Sequence, residues 1–383
     1  MAKSKYLDYA ASATPNPSSI HARGIEAKQK LANARSAVAG LLSAQPDEII
    51  FTSGATESNN LAIQGVIYAL EKKFLPHIVT INIEHPSVLE TCRMLEKRKL
   101  AEITIVPVEA NGIVDPQNIK KAIKKSTVLV SVMYANNEIG TIQPIREIAK
   151  VIRHFKKRNS PRVTLGGPLF HVDAVQAANY LDLNVERLGS DILSLSGSKV
   201  EGAGRVGVLY KKRSVTLAPI FAGGDQEYGL RPGTENLAEI LKFANAFSVV
   251  RKTYERESKR LIVLRNYFLQ KMSKVTFDTD TSLMVNGDIN NRLPNNLNVT
   301  LGNIPSDLIV LELSAKGVMA SSKSACKSSS AEGSYVLKAI NPKLDLEIGG
   351  VRFSFGKDTT KADFNYVIKM LEKIVAKLEK WYI

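Results

Sequence analysis

Cysteine is scarce in this sequence and long apolar runs are missing. Of 383 residues only Cys92 and Cys326 are cysteines. Two such isolated positions exclude a disulfide framework and offer no metal-ligand spacing; in a reducing compartment each is a free thiol. No stretch is apolar for long enough to span a bilayer. Met1-Ala2-Lys3-Ser4-Lys5-Tyr6 is not followed by the apolar core of a signal peptide, so the expectation is a cytoplasmic protein with no membrane partner. Internal repeats and low-complexity tracts are lacking too. Acidic residues are in deficit, 37 against 52 lysines and arginines, for a net charge of +15. The basic residues come in short clusters such as Lys97-Arg98-Lys99 and Lys211-Lys212-Arg213, which suit solvated element ends. Aromatic residues do not interleave with them, so no direct nucleic-acid surface is expected. What is left is an ordinary globular composition, 44% hydrophobic and 23% charged, with length enough for two domains.

The chain alternates strand-like and helix-like segments. Glu48–Thr52, His77–Ile81, Glu102–Val108, Thr127–Val132, Leu169–Gln176 and Ile192–Leu195 read as strands, most of them followed by helical patterns. That alternation predicts an α/β fold with a mainly parallel sheet covered on both faces. Val206–Tyr210 reads as an antiparallel neighbour of the Ile192 strand. From Glu235 to about Ser273 the pattern is helical and free of Pro and Gly, as in a helix that joins two domains. A second set of elements follows: strand Asn296–Leu301, helix Ser306–Ser314, strand Gly317–Ala320, a polar loop at about 321–333, strand Gly349–Phe355. A last helix carries the stripe Val367, Met370, Leu371, Ile374, Val375, Leu378, which is packing.

Polar residues gather where the strands end, the place where parallel sheets bind ligands. Ser196-Gly197-Ser198-Lys199 closes a buried strand on a lysine. Such a lysine either snorkels outward or serves as a nucleophilic amine, for instance a Schiff-base lysine holding pyridoxal phosphate (PLP). Ser53-Gly54-Ala55-Thr56 sits between a strand and a helix; it lacks the lysine of a Walker loop but can offer an anion site. Asp173 and Gln176, three apart, can address one ring from one side; a helix-capping carboxylate is the plainer reading of Asp173. PLP needs an amine, a carboxylate for its pyridine nitrogen, a flat group against its ring and a phosphate cradle. Lys199, Asp173, His85 and Ala55-Thr56 with Ser196 supply them in turn. Cys92 falls on an apolar helix face and reads as core. Cys326 lies in the polar loop between Lys323 and Lys327; two cations favour its thiolate, and an inert surface cysteine between solubilising lysines is the plainer alternative.

Taken together, these stretches resemble the cysteine desulfurases of the class V aminotransferase superfamily, in the NifS/IscS-like branch. The matching segments are Tyr6-Leu7-Asp8, Asn16–His21, Phe51–Asn59, Glu84-His85, Asn136–Gly140, His171–Ala174 with Gln176, Ser196-Gly197 with Lys199, Arg231–Thr234, Ser324-Ala325-Cys326, Ser334–Leu337 and Val351–Ser354, in the family's order. The resemblance implies a fold type I PLP-dependent transferase. Its large domain, residues 12–247, would hold a mainly parallel seven-stranded sheet; a small α+β domain, residues 1–11 and 248–383, would carry the cysteine loop. It further implies that Lys199 holds PLP and later moves protons, that Asp173 meets the pyridine nitrogen and Gln176 the ring hydroxyl, and that His85 stacks on the ring as acid/base. Ala55, Thr56 and Ser196 would bind phosphate, and Thr234 would reach it from the partner of a homodimer. Asn137, near the cofactor, and Arg352 would hold the substrate carboxylate. Cys326 would take sulfur from L-cysteine, leaving alanine, and pass it to an iron–sulfur scaffold or a tRNA-thiolation protein. No metal is implied. The chain departs from the family at Ser198, where histidine is usual and a hydroxyl can still bind phosphate with less reach, at Asp225, at Lys323 and Lys327, and in a shortened segment between Ala11 and Asn16. Selenocysteine lysis, cysteine sulfinate desulfination, transamination, and a degenerate non-catalytic sulfur-transfer subunit are the alternatives.

Overall fold

The computed structural model describes residues 5–71, 74–159, 167–275, 283–322, 333–345 and 347–382. In chain order the elements are α1 (Ala22–Leu42), β1 (Ile49–Thr52), α2 (Ala55–Tyr68), β2 (His77–Ile81), α3 (Pro86–Lys97), β3 (Glu102–Val106), α4 (Pro116–Ala122), β4 (Thr127–Met133), α5 (Ile145–Asn159), β5 (Leu169–Asp173), α6 (Val185–Leu188), β6 (Ile192–Ser196), β7 (Gly207–Lys211), α7 (Leu237–Met272), β8 (Leu283–Val285), β9 (Asn296–Leu301), α8 (Ser306–Ala315), α9 (Tyr335–Ile340), β10 (Val351–Ser354) and α10 (Lys361–Tyr382).

A seven-stranded sheet runs β1-β7-β6-β5-β4-β2-β3. The pairs from β6 through β3 are parallel, and β7 alone runs against both its neighbours. The sequence explains both features. β1, β2, β4 and β6 are buried along their whole length, as strands rich in Ile and Val must be when helices cover both faces. The connection from β6 to β7 is too short for a crossover helix, so β7 returns antiparallel. Gly207 starts β7 because a Cβ there would meet Thr52 Oγ1 at 2.1 Å and the Gly54 backbone at 2.6 Å. The turn that opens α2 can therefore lie directly over β7. β2, β4, β5 and β6 all end at one rim of the sheet, and β1 ends there with them.

A three-stranded antiparallel sheet, β10-β9-β8, forms the second set of strands. It packs with α8, α10 and the end of α7 around Phe268, whose ring stacks on Phe364 at 4.4 Å and meets Phe353 edge-on. α7 is 36 residues long, about 54 Å at 1.5 Å per residue. Its first turns bury Ile240, Phe243 and Phe247 in the core of the large sheet, and its last turns bury Leu261, Leu264, Phe268 and Met272 in the smaller core. The α10 stripe is buried as its spacing predicts.

Residues 317–320 are not the strand that their pattern suggests. The N–H groups of Gly317 and Val318 bond back to Ser314 and Leu313, and Gly317 takes a left-handed φ of +77°. Closing α8 uses the backbone groups a ladder would need; pairing is confined to one bridge, Ser321 to Arg352. Among the described residues no helix is long and apolar enough to cross a membrane.

Candidate active site

A cavity of about 430 Å³ opens at the rim where the strands end. Its walls bring together Ala55, Thr56, His85, Asn137, Asp173, Gln176, Ser196, Ser198, Lys199 and Arg352. These ten residues come from segments up to almost 300 positions apart along the chain.

The first wall is the N-terminus of α2. Gly54 is its N-cap and supplies no capping side chain. The glutamate of the first turn, Glu57, instead accepts the Ser53 N–H at 2.8 Å and Arg231 Nε at 2.9 Å. Burial works against the charge of Glu57, but these hydrogen bonds from Arg231 and Ser53 hold its carboxyl below the usual range. The first turn of α2 therefore lines the cavity with uncapped backbone donors and the Thr56 hydroxyl, the elements of an anion site.

The second wall joins β2, β4 and β5. His85 is the N-cap of α3, and Ser87 N donates to its Nδ1 at 3.1 Å. A backbone N–H can only donate, so Nδ1 is an acceptor and the ring is neutral, with its proton on Nε2. Burial lowers the pKa of His85, as does Lys199, against the pull of Asp173. Asp173 ends β5; its Oδ1 accepts Val175 N at 3.0 Å and its Oδ2 accepts Asn59 Nδ2 at 2.7 Å. Burial raises its pKa, while those two donors and His85 oppose the rise. Glu84, fully buried behind them, is raised well above the carboxylate range by burial and by Asp173.

The third wall is the turn after β6. Ser196 and Ser198 hydroxyls lie 2.9 Å apart. Asn179 Nδ2 donates to the carbonyl of Lys199 at 2.6 Å and so pins the backbone from which the lysine side chain starts. Gly197 is required here, since a Cβ would meet the Gly204 carbonyl oxygen at 2.7 Å. Arg205, on the same Gly-rich turn, also lines the cavity.

The fourth wall comes from the smaller sheet. Arg352 on β10 donates through Nη1 to the carbonyl of Asn137 at 3.0 Å, while its buried Nε has no partner. Burial lowers its pKa, with Glu138 opposing. The turn that carries Asn137 is shaped by Asn136, whose side chain accepts from Glu138 N and Ile139 N. Asn296 and Asn298 on β9 both donate to the Glu138 carbonyl at 3.1 Å. A half-buried guanidinium whose buried Nε has no partner is costly alone and is suited to an arriving carboxylate.

Thr234 does not line this cavity; it lies in two other surface pockets, one with Arg23 and Glu235, the other with Phe221 and Arg231. Asp225, the departure expected near the phosphate, does not line it either. Cys326, with Lys323 and Lys327, lies outside the described residues. Cys92 is fully buried, and its thiol is pushed up to about 12, by burial first and then by Glu84 and Glu96. Sequence reasoning assigned no role to Glu57, Asn59 or Arg205. The signal for Asn59 was its spacing: it stands four residues after Ala55, on the same helix face.

These residues fit the cofactor that the sequence suggests. The cavity pairs an uncapped helix N-terminus and the hydroxyls of Thr56, Ser196 and Ser198 with a lysine, and sets a buried carboxylate beside a neutral imidazole.

Comparisons with known proteins show the family. A profile of the family described as "Aminotransferase class-V" matches residues 2–367. The chain is similar to a cysteine desulfurase IscS of Dictyoglomus turgidum, 42% identical over 396 residues that cover 99% of this chain and 96% of that protein. It is 40% identical to a cysteine desulfurase IscS of Methanosarcina thermophila over 95% of this chain and 85% of that one. A solved structure titled "NIFS-LIKE PROTEIN" superposes with a TM-score of 0.84 at 32% identity, covering 95% of this chain and 92% of that chain.

Proposed function

The chain belongs to the class-V aminotransferase family and is a cysteine desulfurase, and we propose that its cavity binds PLP and L-cysteine. The observation that carries the reading is the meeting of Lys199, Asp173, His85 and Arg352 around one cavity. When bound, PLP supplies an electron sink for bonds at the substrate amine carbon. Lys199 would hold it covalently and then carry protons, its carbonyl fixed by Asn179. Asp173, kept in place by Asn59 and Val175 N, would face the pyridine nitrogen as an anion, and Gln176 the ring hydroxyl. His85 would lie against the ring and, with Lys199, be one of the two groups that hold protons there. Ala55, Thr56, Ser196 and Ser198 would take the phosphate. Asn137 and the Nε edge of Arg352 would take the substrate carboxylate, excluding water from a half-buried cation.

The balance of the reaction needs no outside oxidant. The Cys326 thiolate bonds to the substrate sulfur, the substrate C–S bond breaks, and the released carbon is protonated to give alanine. The sulfur remains on Cys326 as a persulfide. It would pass to an acceptor protein in iron–sulfur cluster assembly or tRNA thiolation, in the cytoplasm. Because Thr234 lies outside the cavity of its own chain, it would complete the cavity of a partner in a homodimer. A boundary between large and small domains near 247–248 falls inside α7, between its two buried stretches.

The test is turnover of L-cysteine to alanine by the purified protein, which should run as a dimer of the 42.0 kDa chain. Lys199→Ala should cut turnover by roughly 10³-fold or more. Cys326→Ala should abolish the protein-bound persulfide; unchanged desulfuration in that variant would remove Cys326 from the reaction.

A further inference from the structure

Asn59 is fully buried on α2 and touches at once Asp173, which lines the cavity, and Ser87, which lies beside His85 on α3. Its Nδ2 carries two protons and meets two oxygens, Asp173 Oδ2 at 2.7 Å and Ser87 Oγ at 2.8 Å. The opposite amide orientation would set its oxygen against the Asp173 carboxylate, so the nitrogen must face it. The cost of this choice is visible on the other side, where Asn59 Oδ1 is buried with no partner. A residue kept for packing alone would not leave an orphaned oxygen that an apolar side chain avoids.

The Ser87 hydroxyl lies 2.8 Å from His85 Nδ1. Having accepted a proton from Asn59, it turns its own proton toward that nitrogen. Nδ1 then receives two donors, the hydroxyl and the backbone N–H of Ser87.

We propose that Asn59 is a positioning residue that ties Asp173 to His85: one proton of its amide holds the Asp173 carboxylate, and the other, through Ser87, locks His85 with its proton on Nε2. The resting imidazole is a donor toward the cavity, and its second nitrogen is closed. The charged groups around the pair act in the same frame. His85 favours the Asp173 anion, burial and then Lys199 disfavour a charged His85, and Glu84 is pushed toward its neutral form by burial and then by Asp173. The purpose of the device rests on the cofactor reading, but the hydrogen bonds do not require a cofactor.

The experiment is nitrogen NMR of the full chain labelled at its five histidines, with and without cofactor, His85 being assigned through His85→Gln. Carboxyl-carbon NMR of labelled aspartate follows Asp173. The parent protein should show His85 as one neutral tautomer, protonated at Nε2. Ser87→Ala leaves only the backbone N–H on Nδ1, so it should weaken the lock, shifting the His85 nitrogen signals, and leave Asp173 in place. Asn59→Ala should do both: shift the His85 nitrogen signals and raise the pKa of Asp173, which loses a hydrogen bond to its charged form. A folded Asn59→Ala protein with both signals unchanged overturns the proposal. So does a Ser87→Ala protein whose His85 nitrogen signals match the parent's, which decides the matter if Asn59→Ala fails to fold. Because the spectra are taken without cofactor as well, a failure of desulfurase activity would not be confused with either result.

Discussion

His171 and Asp173 stand two residues apart on β5, on the same face of one strand, yet they belong to different regions. His171 lies in the sealed middle of the sheet. Its Nδ1 meets Ser131 Oγ at 2.8 Å and its Nε2 meets Ser194 Oγ at 2.9 Å, so both nitrogens are satisfied by neighbouring strands. Burial pushes it down to about 3. Asp173 lies at the open rim, held by Val175 N and Asn59 but still facing a cavity. Burial pushes it up. Both groups are buried and both are shifted, so neither burial nor a shifted pKa marks function here. The difference is whether the surroundings complete the group. The sealed sheet completes both nitrogens of His171; the rim leaves Arg352, a cavity-lining side chain, with a buried Nε that has no partner, a cost of the kind that folds bear at binding sites.

The largest effect that tests this contrast is at the rim. Asp173→Ala should lower turnover by roughly 10²-fold, the scale of removing one preorganised charge from a reacting site. Its urea midpoint should hold or rise, since a buried charge is removed. A midpoint that falls while turnover per folded molecule is kept would place Asp173 among the structural groups.

The sealed region should answer to acid instead. In the unfolded chain histidine binds its proton near pH 6.5, while His171 in the fold does so only near 3. Between these values the unfolded state holds the extra proton, so stability falls as pH drops below 6.5. From pH 7 to pH 5 the loss is about 1.9 kcal/mol for His171. His77, buried between Thr104 and Thr127 and pushed down to about 4, acts in the same direction. Glu84, raised by burial, has the opposite sign: its contribution is lost as pH rises above the ordinary carboxylate value. His171→Gln should flatten the acid slope, read as urea midpoints at pH 7 and 5, and leave turnover per folded molecule unchanged. An unaltered slope would show that His171 is not the group that titrates.

Much of this division could be read from residue order, because it follows from local rules. Ile-Val runs between helical patterns imply a covered parallel sheet, and α7 was legible over nearly its full length from the lack of Pro and Gly. Lys199, Asp173 and His85 could be named because each stands at a strand end, where the sheet forces it to the rim. What stayed hidden depends on contacts between distant segments. Asn59 looks like any polar residue one turn into a helix until β5 and α3 bring Asp173 and Ser87 to it. Arg205 sits in a glycine-rich turn whose path only the sheet decides. β8 is three residues long and half exposed, too short for a period to show. The strand expected at 317–320 failed because β-branched and apolar residues there serve the end of α8, whose closing bonds take the backbone.

The smallest expected effect tests the comparison with a group that has chemistry but no opening. Cys92 lies on α3, seven residues after His85, on the side that packs into the core with Leu61, Val88 and Leu95. Its thiol is raised to about 12 by burial, with Glu84 and Glu96 adding to the rise, so the nucleophilic thiolate is scarce at neutral pH. Cys92→Ala removes one sulfur from a packed site and should cost about 1 kcal/mol of stability, the low end of core truncations. Turnover should be unchanged. In the native protein Cys92 should stay unmodified by a thiol reagent, as read by peptide mass, and react only once urea unfolds the chain. Modification of Cys92 at the rate of a free thiol in the folded state would mean that α3 opens to solvent, and the rim would then extend behind His85.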